Sequence, residues 1–191
     1  EVCAMCHSLD GVSRMPKFPK LAGQKSSYIS KQFLDFYHGH RNNDGGQMEA
    51  ISTEVDLTQL DDIANYFSQL PPPTAADLES DPDSIARFTL GENLFYKGQD
   101  NIVACASCHD RKGYSERNKI PLYLLGSDTL VPRLFGQHEE YLVKQLEDFR
   151  DSYRSNDLSG SMHKIAAGLD AESIASVSFY LAREQPYKEA E

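Results

Sequence analysis

Cys3-Ala4-Met5-Cys6-His7 and Cys105-Ala106-Ser107-Cys108-His109 use all four cysteines of this 191-residue chain, in two copies of C-x-x-C-H. Two thiols three positions apart lie on one face of a helical turn, so both can add to the vinyl groups of a single porphyrin. The histidine that follows continues the turn and offers its imidazole to an iron atom. This is the attachment signature of c-type haem. A thioredoxin-like pair belongs at a strand-to-helix junction, and no βαβ pattern surrounds either copy. A zinc ribbon needs its two pairs about 15–20 residues apart, whereas these stand almost a hundred apart. A disulfide within each pair leaves the adjoining histidine unexplained twice. The spacing therefore predicts two covalently attached haem c groups, held by Cys3 and Cys6 and by Cys105 and Cys108, with His7 and His109 on the irons.

Outward from the motifs the chain repeats itself. At an offset of 113, Gly23-Gln24 falls on Gly136-Gln137, Tyr28 on Tyr141, Lys31-Gln32 on Lys144-Gln145 and Asp35-Phe36 on Asp148-Phe149. Arg41 falls on Arg154 and Asn43-Asp44 on Asn156-Asp157, giving ten identities in the 22 positions from 23 to 44. Upstream, Pro19-Lys20-Leu21 matches Pro132-Arg133-Leu134; one residue more of offset aligns Met48 with Met162, Ile51 with Ile165 and Tyr66 with Tyr180. Such dense self-similarity means two copies of one domain. Pro71-Pro72-Pro73 cannot continue a helix and favours a stiff, extended connection, with Asp77, Glu79 and Asp81 keeping it solvated. The expected division is 1–74, a linker over 75–83, and 84–191.

Each copy reads as all helical. Tyr28, Ile29, Gln32, Phe33, Phe36 and Tyr37 follow helical spacing, as do Tyr141, Leu142, Leu146 and Phe149. Leu57, Leu60, Ile63, Ala64 and Phe67 form another apolar stripe, answered by Ile174, Val177 and Leu181. A helix led by Ser84, with Ile85, Phe88, Gly91, Leu94 and Phe95, precedes the second motif, and no strand pattern is evident. Met162 is the only methionine of the second copy. In the first, Met5 lies inside the motif and Met15 just after it, which leaves Met48 best placed to reach an iron. Methionine opposite histidine raises a haem's reduction potential and suits it to single-electron transfer. The rival is a second histidine from His38, His40, His138 or His163, the last beside Met162.

With these residues assembled, the chain resembles the class I cytochromes c, and more closely the two-domain cytochrome c4 type, over essentially its whole length. The resemblance implies an all-α fold of two tandem domains, each wrapped around one haem. It implies His7 and Met48 on the first iron and His109 and Met162 on the second. The carbonyls of Pro19 and Pro132 would bond the far nitrogens of the two histidines. It also implies a helix ahead of each motif, supplied in the second copy by Ser84 to Lys97; the sequence opens only two residues before Cys3. A further departure is an insertion of 11 residues in the second copy between motif and P-x-L. Its apolar part, 120–126, reads either as a shield for the haem edge or as a docking patch.

The formal net charge of −10 argues against a nucleic-acid partner, since phosphate contacts need a basic face. No apolar run approaches the roughly 20 residues of a membrane span. Within this acidic chain, Arg14, Lys17, Lys20, Lys25 and Lys31 occupy 11–32 without an acid, and Arg111, Lys112, Arg117 and Lys119 follow the second motif with Glu116 alone among them. These segments are candidates for steering acidic redox partners. The leading expectation is a dihaem carrier passing single electrons between a donor dehydrogenase and a terminal oxidase or reductase, free or peripheral at the membrane. Attachment of haem c outside the cytoplasm implies a periplasmic home, reached through a signal peptide since removed. The competing readings are the cytochrome subunit of a dehydrogenase complex, as in a flavoprotein oxidising sulfide, and a peroxidase or sulfur-compound oxidase, which would need an iron with an open site.

Overall fold

The computed structural model describes residues 2–100, 102–109 and 130–185. The basic run 111–119 and the apolar insertion 120–126 lie outside the described residues. Helices α1 (Ala4–His7), α2 (Ser26–Tyr37), α3 (Gln47–Thr53) and α4 (Leu60–Gln69) build the first half. Helix α5 (Pro82–Lys97) leads into the second, built from α6 (Ala106–His109), α7 (Glu139–Arg150), α8 (Ser161–Ala166) and α9 (Ala171–Arg183). Helix α7 starts and ends 113 residues after α2, so the sequence repeat is a structural repeat. Among the described residues there is no strand, only one isolated bridge between Gln99 and Ile102.

In each half the long second helix packs on the last one, α2 on α4 and α7 on α9. The cores differ in size. Ile29, Ala64 and Phe67 form the buried cluster of the first half, with Leu21, Ile63, Leu70 and Cys3 packed against it. The second holds Leu94, Phe95, Phe135, Leu142, Leu169, Ile174, Val177, Tyr180 and Leu181, with Cys105 at its edge. Each such fully buried side chain contributes about 1.5–3 kcal/mol. The difference comes from α5, which crosses α9 at Gly91. A Cβ there would sit 2.1 Å from the Ser176 carbonyl oxygen, so only glycine permits the approach. Phe88, Phe95 and Tyr96 of α5 surround Tyr180, which is 1% exposed. Its counterpart Tyr66 is 48% exposed, and no described helix covers α4 there.

Several expectations change. Helix α5 begins at Pro82, two residues ahead of Ser84, because Asp81 accepts the N–H groups of Asp83 and Ser84 and proline suits the first helical position. Leu57 and Ile85, placed on apolar stripes, are exposed: Leu57 sits in a 3₁₀ turn ahead of α4, and Ile85 lies in the first turn of α5. The connection is less solvated than its prolines suggest. Pro73 and Ala75 are buried, and the Ala76 N–H donates to the Ala182 carbonyl at the end of α9 (2.9 Å). From Ala76 to Asp83 the strand of chain is exposed as expected.

Capping makes acid stability predictable. Asp170 accepts the Ser173 N–H (2.8 Å) and Asp81 caps α5, and these bonds hold both carboxyls below the ordinary carboxylate range. A depressed folded value means stability that is complete above the unfolded carboxylate value and lost as pH falls through the folded one. Asp170→Ala is therefore less stable than the parent chain at neutral pH, and the gap narrows in acid. Urea unfolding at a series of pH values measures it.

The two halves face each other through a reciprocal set of polar contacts, most of them at least half-buried. Arg41 donates to Gln32 in its own half and to Tyr141 and Gln145 in the other. Arg154 donates to Gln145 in its own half and to Tyr28 and Gln32 across the interface. Asn43 and Asn156 reach across to Asp148 and Asp35, and Lys144 and Lys31 reach the carbonyls of Asn43 and Asn156. Such exchange of equivalent contacts is what a two-fold arrangement of two like surfaces requires. Eight of the ten identical repeat pairs take part. Phe36 and Phe149 instead lie under the Arg41 and Arg154 guanidiniums, at 4.6 and 4.5 Å. Burial pushes the Tyr141 phenol up, but the two guanidiniums outweigh it and hold it below its ordinary value. The same contacts account for part of the basic run in 11–32, because Lys20 and Lys31 face the second half and Arg14 pairs with Asp10.

Candidate functional site

Each C-x-x-C-H segment folds as one helical turn. The His7 N–H donates to the Cys3 carbonyl and the His109 N–H to the Cys105 carbonyl, both at 2.9 Å. No disulfide joins the four cysteines. Cys3 and Cys105 occupy the same place in the two halves, against the edge of the apolar cluster. Burial pushes the Cys105 thiol up to about 11 and raises Cys108 as well, so neither is a ready thiolate in the folded chain.

The histidines are held alike, His7 buried and His109 half-buried. His7 Nδ1 lies 2.9 Å from the Pro19 carbonyl oxygen and His109 Nδ1 lies 3.0 Å from that of Pro132. A carbonyl can only accept, so Nδ1 carries the proton and the Nε2 lone pair is left for a metal. Burial lowers the pKa of both imidazoles against the opposing effect of the proline bonds, which favours the neutral, ligating form. Phe18 packs edge-on against His7, ring centres 6.1 Å apart.

The methionines separate by exposure. Met5 is 72% and Met15 43% exposed, whereas Met48 and Met162 are half-buried on α3 and α8. The Met48 N–H donates to Asp44 and the Met162 N–H to Asp157 (2.7 Å), so an aspartate ahead of each helix fixes the turn that carries the thioether. Sequence reasoning passed over this task of the two aspartates, although Asn-Asp recurs in both copies. Of the four remaining histidines, His138 bonds the Ser13 carbonyl through Nε2, His163 the Phe149 carbonyl through Nδ1, and His38 and His40 stand exposed in the turn after α2.

A neutral imidazole with Nε2 available, two thiols on the same turn and an apolar wall beside them fit an iron porphyrin in each half. The haem supplies one-electron chemistry; the chain orients the imidazole and encloses one face.

The comparisons agree with this geometry. No family model matches the chain. It is 36% identical over 190 residues to a cytochrome c4 of Azotobacter vinelandii, covering 94% of this chain and 83% of the relative. It is 30% identical over 183 residues to a thiosulfate dehydrogenase electron acceptor of Stutzerimonas stutzeri, covering 94% and 77%. The crystal structure of reduced recombinant cytochrome c4 from Pseudomonas stutzeri superimposes with a TM-score of 0.77 at 33% identity, over 96% of this chain and 94% of that one. The chain thus belongs to the cytochrome c4 family, the two-domain class I cytochromes that carry electrons on two covalently attached haem c groups.

Proposed function

We propose that Cys3 and Cys6 hold the first haem with His7 and Met48 as axial ligands, and that Cys105 and Cys108 hold the second with His109 and Met162. The observation that carries this reading is the matched pair of Nδ1–carbonyl bonds from His7 to Pro19 and from His109 to Pro132. The half-buried thioethers of Met48 and Met162 are the donors suited to the opposite face. The domains are 1–74 and 84–191, joined by 75–83. The protein works in the periplasm, passing single electrons between a respiratory donor and a terminal oxidase or reductase. No described helix is long and apolar enough to cross a membrane.

Spectroelectrochemical titration tests the ligands. Met48→Ala and Met162→Ala each abolish the methionine–iron charge-transfer band of one haem and lower its potential, by on the order of 0.2 V within the roughly 0.8 V that axial ligands span. Asp44→Ala and Asp157→Ala shift the same bands less, by loosening the helix that bears each methionine. Unchanged bands and potentials in both methionine variants refute the assignment.

A second reading is favoured by the relative that is a thiosulfate dehydrogenase electron acceptor. In it, the donor is a dehydrogenase of a sulfur compound. Rapid reduction by such an enzyme in stopped flow, with no comparable rate from a quinol-oxidising complex, selects it.

A further inference from the structure

The carbonyl that accepts from the first histidine and the N–H of Lys20 belong to one peptide unit, Pro19–Lys20. Its carbonyl oxygen takes the His7 Nδ1 proton at 2.9 Å, and its N–H donates to Oε1 of Gln137, in the other half of the molecule, at 2.8 Å. The second site repeats this. The Pro132–Arg133 peptide accepts from His109 at 3.0 Å and donates to Oε1 of Gln24, in the first half, at 2.9 Å. Each glutamine closes a second bond with the same partner residue. Gln137 Nε2 donates to the Lys20 carbonyl and Gln24 Nε2 to the Arg133 carbonyl, both at 2.9 Å. These partners fix which way each amide points, since a peptide N–H requires an oxygen and a carbonyl requires an N–H.

We infer that Gln137 and Gln24 are cross-domain positioning residues, each setting the reduction potential of the haem in the opposite half through a single peptide unit. The physical basis is polarisation along a chain of hydrogen bonds, strengthened where the surroundings are dry. Both glutamines are 8% exposed. An acceptor on the peptide N–H makes its carbonyl oxygen a stronger acceptor. That oxygen then draws the Nδ1 proton further, and the imidazole becomes a more electron-rich ligand. An electron-rich ligand stabilises the oxidised iron and lowers the potential. The repeat makes the arrangement symmetric, so neither half sets its own potential alone.

The inference rests on His7 and His109 being the axial histidines. Its test uses the full-length dihaem protein, with the two redox waves assigned by Met48→Ala and Met162→Ala. Gln137→Leu, which leaves the net charge unchanged, raises the potential of the first haem by about threefold in its one-electron equilibrium, roughly 30 mV, and leaves the second wave in place. Gln24→Leu moves the second wave and not the first. Tyr28→Phe, which removes an interdomain hydrogen bond to Arg154 without touching either peptide, moves neither. Shifts confined to the variant's own half, equal shifts of both waves, or none at all overturn the inference. Methionine variants that fail to move a wave overturn instead the ligand assignment beneath it. Should Gln137→Leu not fold, Gln24→Leu carries the same decision at the other site.

Discussion

A chain in which Cys105 and Cys108 are both serine carries one haem instead of two and loses the helical order of its second half. Cys105 packs at the edge of the cluster formed by Leu94, Phe95, Phe135, Leu142 and Tyr180, so a haem tethered there completes that core. Without the tether, the half-buried His109 keeps its Pro132 bond on one side and faces an unfilled apolar wall on the other. Cavities of that kind cost about 24 cal/mol per Å³, which for a porphyrin-sized space is comparable with the 5–15 kcal/mol that holds a typical domain together. The haem-to-protein ratio measured on the denatured chain falls to half, far-UV circular dichroism loses the α5, α7 and α9 contribution, and protease cuts appear beyond Asp81. The matching Cys3→Ser/Cys6→Ser chain unfolds its first half still more completely, because the buried cluster of Ile29, Ala64 and Phe67 is smaller than that of the second half. Retention of two haems in either chain contradicts the assignment of the thiols.

The second large effect lies between the domains. Arg154→Met removes a guanidinium that is 5% exposed and donates to Gln145, Tyr28, Gln32 and Asn156. Gln32 and Gln145 keep Arg41 as a donor, but the half-buried Tyr28 hydroxyl and Asn156 amide oxygen lose theirs, at about 1–3 kcal/mol for each group not recovered by water. The expected loss of stability is about 2–4 kcal/mol, read as a lower denaturant midpoint of the haem Soret transition. Arg41→Met costs a similar amount, since it makes the mirrored bonds. The two changes together cost less than their sum, because both arginines share Gln32 and Gln145 and the first substitution already loosens the second's partners. A double-mutant cycle measures that coupling, and strict additivity would mean that the two clusters act independently.

Much of the site was legible in the chain because its chemistry is local. C-x-x-C-H puts two thiols and an imidazole on one turn whatever surrounds it, and Met162 is the second copy's only thioether. Helices α2 and α7 were legible for a similar reason, their buried residues recurring every three or four positions. Boundaries were less so. The start of α5 depends on Asp81 turning its carboxylate onto Asp83 and Ser84, and the burial of Pro73 and Ala75 depends on where α9 ends. Asp44 and Asp157 were visible as repeated residues, but their task appears only when their carboxylates are seen on the N–H groups of Met48 and Met162.

By itself, the sequence determined that the chain is a tandem repeat, all helical, with two haem-attaching turns and one well-placed methionine in each copy. These follow from spacing within a few residues or from a fixed offset, which a single chain displays. Only the tertiary structure decided what the repeated Gly-Gln, Tyr, Lys-Gln, Asp, Arg and Asn residues are for. An identity at offset 113 is equally compatible with a shared core and with a shared contact surface. The choice depends on which groups meet across more than a hundred residues of chain, as Gln137 meets Lys20 and Arg154 meets Tyr28. Polar side chains buried in that way need partners. In this protein each half supplies the partners for the other.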